Sequence, residues 1–257
     1  LSIASCILTS DHIAGIDGSY SPLMRLLLPF LVCFAAAVAT SAAPDNISDV
    51  AVTAAPNPST LSDFGFFDGS AAKPSDSLIP YELRTPLFSD YATKQRFMYL
   101  PAGASVTADK DGRLIFPVGT ALIKSFGYAA ASGGLDIIET RVLLHKASGW
   151  VALPYVWRAD GSDADLRIGG TRVPVTFEHA GTTSSINYGV PNKNQCKQCH
   201  LVANDIMPIG PVWQNLEFPR KGDRQRLSKM VPSLTRLQPF ARWDASDEGS
   251  LDDKAKQ

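Results

Sequence analysis

Between residues 95 and 190 the chain is a succession of short apolar runs, each broken by glycine or proline before it reaches helical length. The runs at 96–100, 114–119, 121–128, 136–145 and 150–157 are rich in branched and aromatic residues, which favours strands. Ala147, Ser148 and Gly149 join the last two as a hairpin. A second hairpin is expected between 165–168 and 171–177, because Gly169-Gly170 suits a two-residue turn that needs positive φ. Strands of this length and spacing predict an antiparallel sandwich or open barrel. Before them, residues 44–78 are rich in Ala, Ser, Asp and Pro and read as a flexible leader, with one helical turn packed by phenylalanines at 61–67. Closely spaced prolines make 79–91 an ordered loop.

After residue 190 the pattern changes. Asn192 and its neighbours are expected to start a helix carrying Cys196-Lys197-Gln198-Cys199-His200. Two cysteines three apart followed at once by histidine form the attachment motif of a c-type haem. Each thiol adds across a haem vinyl group, and the adjacent imidazole supplies the proximal iron ligand. The rival readings are a redox dithiol and half of a zinc site, but no second cysteine or histidine cluster follows at zinc spacing. The fold class expected is α+β: a mainly antiparallel β domain at 79–190, then a short, incomplete α-helical cytochrome c-like segment at 191–257.

The N-terminal region bears on compartment. Met24-Arg25, an apolar run from 26 to 38 and the small residues at 40–43 have the three parts of an export signal. The apolar run is shorter than the roughly 20 residues that span a bilayer. Val32 in front of Cys33 argues against a lipid anchor there. Residues 1–23 are then read as upstream sequence outside the fold, and 24–43 as the signal peptide. Their removal takes away Cys6 and Cys33 and leaves only the motif's cysteines among the four in the chain. A periplasmic or secreted protein without a stable membrane anchor is expected. The formal net charge of −1 gives no reason to expect a nucleic-acid partner.

Several short stretches carry a family resemblance. They are Leu87-Phe88-Ser89-Asp90-Tyr91, Phe116-Pro117-Val118-Gly119-Thr120 with Ile123-Lys124, Thr140-Arg141, and Leu153-Pro154-Tyr155-Val156-Trp157. Val190-Pro191-Asn192, Asn194-Gln195-Cys196-Lys197 and Pro208-Ile209-Gly210-Pro211 follow in order. Together they resemble a family of exported bacterial dihaem c-type cytochromes with a large N-terminal β-rich region. The resemblance runs over about residues 61 to 257. It implies periplasmic electron transfer with an unknown redox partner protein, Cys196 and Cys199 as thioether anchors, and His200 as proximal ligand. Members that resemble this chain continue to a second haem motif, so the chain resembles the part up to and including the first.

The far side of the iron needs its own ligand or none, and that choice sets the chemistry. Met207 in a rigid Met-Pro context, Met230, and His145 on a strand are the candidates. His179 reads as a surface turn residue. Trp150 and Trp157, seven apart, fall on opposite faces of a strand and read as core. Trp213 reads as core or as cover for a haem face. Arg220, Lys221, Arg224 and Arg226 form a basic run, either a solvated helix face or a partner for haem propionates or an acidic redox protein. The function expected is single-electron transfer by one covalently held haem. The alternatives are a peroxidase-type haem enzyme with an open distal site, and a β-domain binding module with a vestigial haem segment.

Overall fold

Phe97, Ile123, Val142 and Leu153 stand side by side across four neighbouring strands, and the next row along is Met98, Leu122, Leu143 and Ala152. Because side chains alternate between faces along a strand, the two rows belong to opposite faces of one sheet. Both rows are buried. The computed structural model of the protein describes residues 47–69, 73–131, 133–230 and 239–240, which fall in one compact unit.

The elements in chain order are α1 (Asp49–Thr53), β1 (Ile79–Pro80), β2 (Glu82–Leu83), β3 (Thr93–Tyr99), β4 (Thr107–Ala108), β5 (Leu114–Ile115), β6 (Ala121–Ala129), β7 (Leu135–Lys146) and β8 (Gly149–Trp157). They continue with β9 (Ala164–Leu166), β10 (Thr171–His179), β11 (Thr182–Val190), α2 (Lys193–His200), β12 (Leu201–Val202), β13 (Asp205–Ile206), β14 (Leu216–Glu217) and α3 (Lys221–Met230). The chain is mainly antiparallel β. The described strands make one open six-stranded sheet, in the order β1-β3-β6-β7-β8-β9, and four two-stranded ribbons. The described sheet is not closed on itself, and its faces are covered by helical and irregular segments.

One face is covered by the N-terminal segment. Val52, Leu61, Phe64, Phe66 and Leu78 are buried against Phe97, Ile123, Val142, Leu153 and Tyr155. Phe64 and Phe66 stack with ring centroids 4.8 Å apart, and Tyr155 meets Phe64 edge-on at 5.9 Å. Polar ties fix the same segment: the Tyr155 hydroxyl donates to the Pro58 carbonyl at 2.9 Å, and Lys146 Nζ donates to Asn57 Oδ1 at 2.7 Å. The expectation of a flexible leader at 44–78 is therefore corrected for its described part. Its Ala, Ser and Pro content masked five large apolar side chains that complete a core. The expected helical turn is present as a 3-10 turn, Ser62–Phe64.

The opposite face is covered by the segment that follows β11. Cys196, Trp213, Leu216 and Leu227 pack on Met98, Leu122, Leu143 and Ala152. Since both faces are buried, the central strands read as near-continuous apolar runs. Trp150 and Trp157 lie on opposite faces as expected, in the second and first of these cores.

The Gly169-Gly170 hairpin does not form. β9 pairs with β8 instead, and β10 pairs with β11 through a two-residue turn at Ala180-Gly181, with φ of 48° and 76°. Two positive φ values suit the right-handed twist of a hairpin. Gly170 serves another purpose: a Cβ there would lie 2.8 Å from the Val190 carbonyl oxygen and from the Asn192 nitrogen. It lets the β9–β10 connection pass directly against the chain leading into α2. Another glycine, Gly127, sits at an irregularity where β6 and β7 slip by one residue. A Cβ there would lie 2.3 Å from the Asp136 carbonyl oxygen.

The proposed signal region and the upstream residues lie outside the described residues. Among the described residues no helix is long and apolar enough to cross a membrane.

Phe66→Ala is expected to destabilise the fold by about 3–5 kcal/mol in urea unfolding, the usual cost of deleting a buried aromatic. An effect near zero would mean the N-terminal segment does not hold this position. Gly127→Ala is expected to cost about 1–3 kcal/mol, as overpacking does.

Candidate functional site

Helix α2 begins at a capping box. Asn192 Oδ1 accepts from the Gln195 amide at 2.9 Å, and Gln195 Oε1 accepts from the Asn192 amide at 2.9 Å. Two otherwise orphaned amides are thus satisfied reciprocally. A third, on Lys193, donates to the Ile168 carbonyl at 2.9 Å, which ties the helix start to the end of β9. Cys196 turns into the core beneath and Cys199, one turn on, is exposed.

His200 closes the helix, and the next seven residues return to it. β12 and β13 form a tight ribbon whose turn residues, Ala203 and Asn204, have φ of 51° and 73°. The ribbon brings Met207 opposite His200. The Met207 amide donates to the His200 carbonyl at 2.9 Å, and His200 Nδ1 lies 3.0 Å from the Met207 carbonyl oxygen. A carbonyl oxygen only accepts, so Nδ1 carries the proton. In the neutral ring Nε2 then keeps its lone pair, and the ring's orientation is fixed from behind. Burial pushes the imidazole pKa below its ordinary value. Lys124 and Arg141 act in the same direction, and the bond to Met207 opposes them. A neutral imidazole with a free Nε2 is the form that binds a metal.

Around it stands an unusual polar row. Arg96, Lys124 and Arg141 are in register on β3, β6 and β7, on the face that carries Cys196. Arg96 is 7 % exposed and its Nε has no hydrogen-bond partner. Arg141 bonds through Nε to Glu139, whose side chain is fully buried. Glu139 Oε2 is left unpartnered. Burial holds the Glu139 carboxyl above the usual range, against the pull of Arg141. Lys124 Nζ and the Arg141 guanidinium both lie over the Phe126 ring, at 4.7 Å and 4.2 Å from its centroid. Burial, then the fields of Arg96, Arg141 and Lys94, push the Lys124 amine down to about 7, with Glu139 opposing.

The donor set fits a c-type haem: two thiols one helical turn apart and an imidazole with Nε2 open. It fits a redox dithiol less well. Reactive Cys-X-X-Cys thiols have lowered pKa values, typical of helix N-termini, whereas burial pushes the Cys196 thiol up and the pair sits beyond the first turn of α2. Among the described residues no three His, Cys, Asp or Glu side chains converge as a metal cage.

The remaining candidates separate. Met207 lies on the Nδ1 side of His200, and its thioether accepts from Arg113 Nη1 at 3.5 Å. Its seven-residue return thus ends behind the ring, on the side away from Nε2. His145 is four residues from Arg141 along β7, about 13 Å at the usual strand rise, and stacks flat on Trp150 at 4.5 Å. The side chain of Met230 lies outside the described residues. His179 packs against Tyr91 at the tip of the β10–β11 ribbon. Trp213 is core, buried among Leu216 and Leu227 with the Arg224 guanidinium over its ring. In the basic run, Arg220 pairs with Asp223 and Arg226 donates to the Ser77 carbonyl, so with Arg224 three of its four members are committed to the fold. The Arg96–Lys124–Arg141 row was missed in the sequence. Its signal was three cations interrupting apolar strands.

Asn192→Ala removes one half of the capping box and is expected to cost about 0.5–2 kcal/mol, measured by urea unfolding. The Lys124 shift gives a pH dependence. The unfolded chain holds the Lys124 proton up to its ordinary pKa of 10.5, and the folded chain releases it near 7. Stability of the chain should therefore rise with pH across that window. Lys124→Met should remove that slope in melts recorded from pH 7 to 10. No protein-family model, curated protein or solved structure matches this chain.

Proposed function

We propose that the protein is an exported c-type cytochrome that carries one covalently attached haem and passes single electrons to a partner protein. The observation that supports it most is the conjunction of the Cys-X-X-Cys-His sequence with the His200 Nδ1 bond to the Met207 carbonyl. In this reading Cys196 and Cys199 hold the haem through thioethers, and His200 Nε2 ligates its iron. When bound, the haem supplies a reversible one-electron couple.

The chain's own part is positional and electrostatic. Met207 holds the imidazole in one tautomer and orientation, which raises its quality as a ligand. The core beneath Cys196 anchors one thioether rigidly, while exposed Cys199 leaves the other at the surface, where an edge can meet a partner. The segment from 191 onward is read as a partial cytochrome c-like segment resting on the β sheet. Export is proposed from the signal-like residues 24–43, since covalent attachment occurs after export.

Co-expressed with a haem maturation system and directed to the periplasm, the chain should gain the mass of one haem. The Cys196→Ser/Cys199→Ser variant should gain none. No adduct on the parent chain, while a control cytochrome is loaded, overturns the proposal. The reduced, loaded protein should show a low-spin spectrum unmoved by carbon monoxide. A spectrum converted by carbon monoxide would favour the peroxidase-type reading.

A further inference from the structure

Three cations directly opposite one another on adjacent strands repel, and a sheet normally avoids that arrangement. Here Arg96, Lys124 and Arg141 are in register on the most buried strands of the molecule. Bringing them there also strips water from each charge, which is costly unless an opposite charge replaces it. The compensation within the protein is incomplete. Among the described residues Glu139 is the one carboxylate paired with any of the three, and it is taken by Arg141. Glu82, whose field reaches Arg96, forms no ion pair with it. Lys94, next along β3 on the same face, donates to the Leu87 carbonyl. The buried Arg96 Nε is left without an acceptor.

The row is not sealed. A third of the Arg141 side chain is exposed, Lys124 is half-buried, and both act on His200 at the end of α2. Apolar walls stand on either side of it along the sheet: Met98, Leu122 and Leu143 on one, Phe126, Tyr128 and Ile138 on the other. A cationic strip in an apolar surround is a setting in which an anion binds tightly, because water competes poorly there. Guanidinium groups select planar carboxylates with two parallel bonds, and an ammonium adds a point charge.

We propose that Arg96, Lys124 and Arg141 form a cradle for a pair of carboxylate groups, with Lys124 and Arg141 at the end that acts on His200. Two sources share that chemistry: the propionates of a haem held by Cys196, Cys199 and His200, or a free small dicarboxylate. The first source rests on the function proposed above, and the cradle itself does not. The depressed Lys124 pKa agrees with a cation that Glu139 only partly offsets among the described residues.

The test uses the full chain in two forms, matured with haem and as the haem-free Cys196→Ser/Cys199→Ser variant. Each is titrated with sodium succinate at low ionic strength by calorimetry. The haem-free form should bind succinate, and Lys124→Met or Arg96→Met should each weaken binding at least tenfold. If propionates are the natural occupants, the matured form should not bind succinate, and Lys124→Met should shift its propionate bending bands in resonance Raman spectra. If a free dicarboxylate is the occupant, both forms bind alike. Lys124→Met should also raise the melting temperature of the haem-free form, since it removes repulsion. Overturning the cradle takes a folded haem-free form that ignores succinate, together with propionate bands insensitive to Lys124. If the chain gains no haem mass at all, the cofactor falls while the succinate titration still judges the cradle.

Discussion

The register of β3, β6, β7 and β8 is the constraint on which the rest of the molecule depends. A slip of one residue in any of these strands would exchange its two faces. Here neither face tolerates that exchange, because Phe64 and Phe66 rest on one and Cys196 and Leu227 on the other. The N-terminal segment and the motif segment therefore lock the same register from opposite sides. Cys196 and the row of cations then fall on the same face of the sheet, since residues two apart on a strand share a face.

Around His200 the division of labour is clear. Side chains set the electrostatics and the main chain sets the geometry. Burial beside Lys124 and Arg141 favours the uncharged ring, and the Met207 carbonyl decides which nitrogen keeps the proton. Arg141 also acts on Cys196, where its field partly offsets the effect of burial on the thiol. One patch of sheet thus tunes both kinds of group in the motif. That links the β domain to the helix chemically as well as mechanically.

The long strands were legible because continuous apolar runs broken by turns leave few other solutions. The segment at 121–128 became β6 with one added residue, and the Ala147-Ser148-Gly149 turn holds where it was expected. Composition misled at 47–69, where many small and polar residues outnumber a few phenylalanines that carry the packing energy. It misled again at Gly169-Gly170, a pair that looks like a hairpin turn but serves a close approach to Asn192. The Ala180-Gly181 turn has the weaker signature and does the pairing. The Cys196-Lys197-Gln198-Cys199-His200 motif was readable from spacing alone. The cationic row was not, because Arg96, Lys124 and Arg141 are far apart in sequence and become neighbours only once the register is known.

The ribbon formed by β12 and β13 has a consequence for how this site tolerates change. The group that restrains the imidazole is a peptide oxygen, so no side-chain replacement at position 207 can delete it outright. What must be kept is the count of residues in the return and the two left-handed positions at Ala203 and Asn204. Drift in residue identity beyond the histidine is thereby buffered, whereas a single insertion or deletion in that short loop would turn the ring loose.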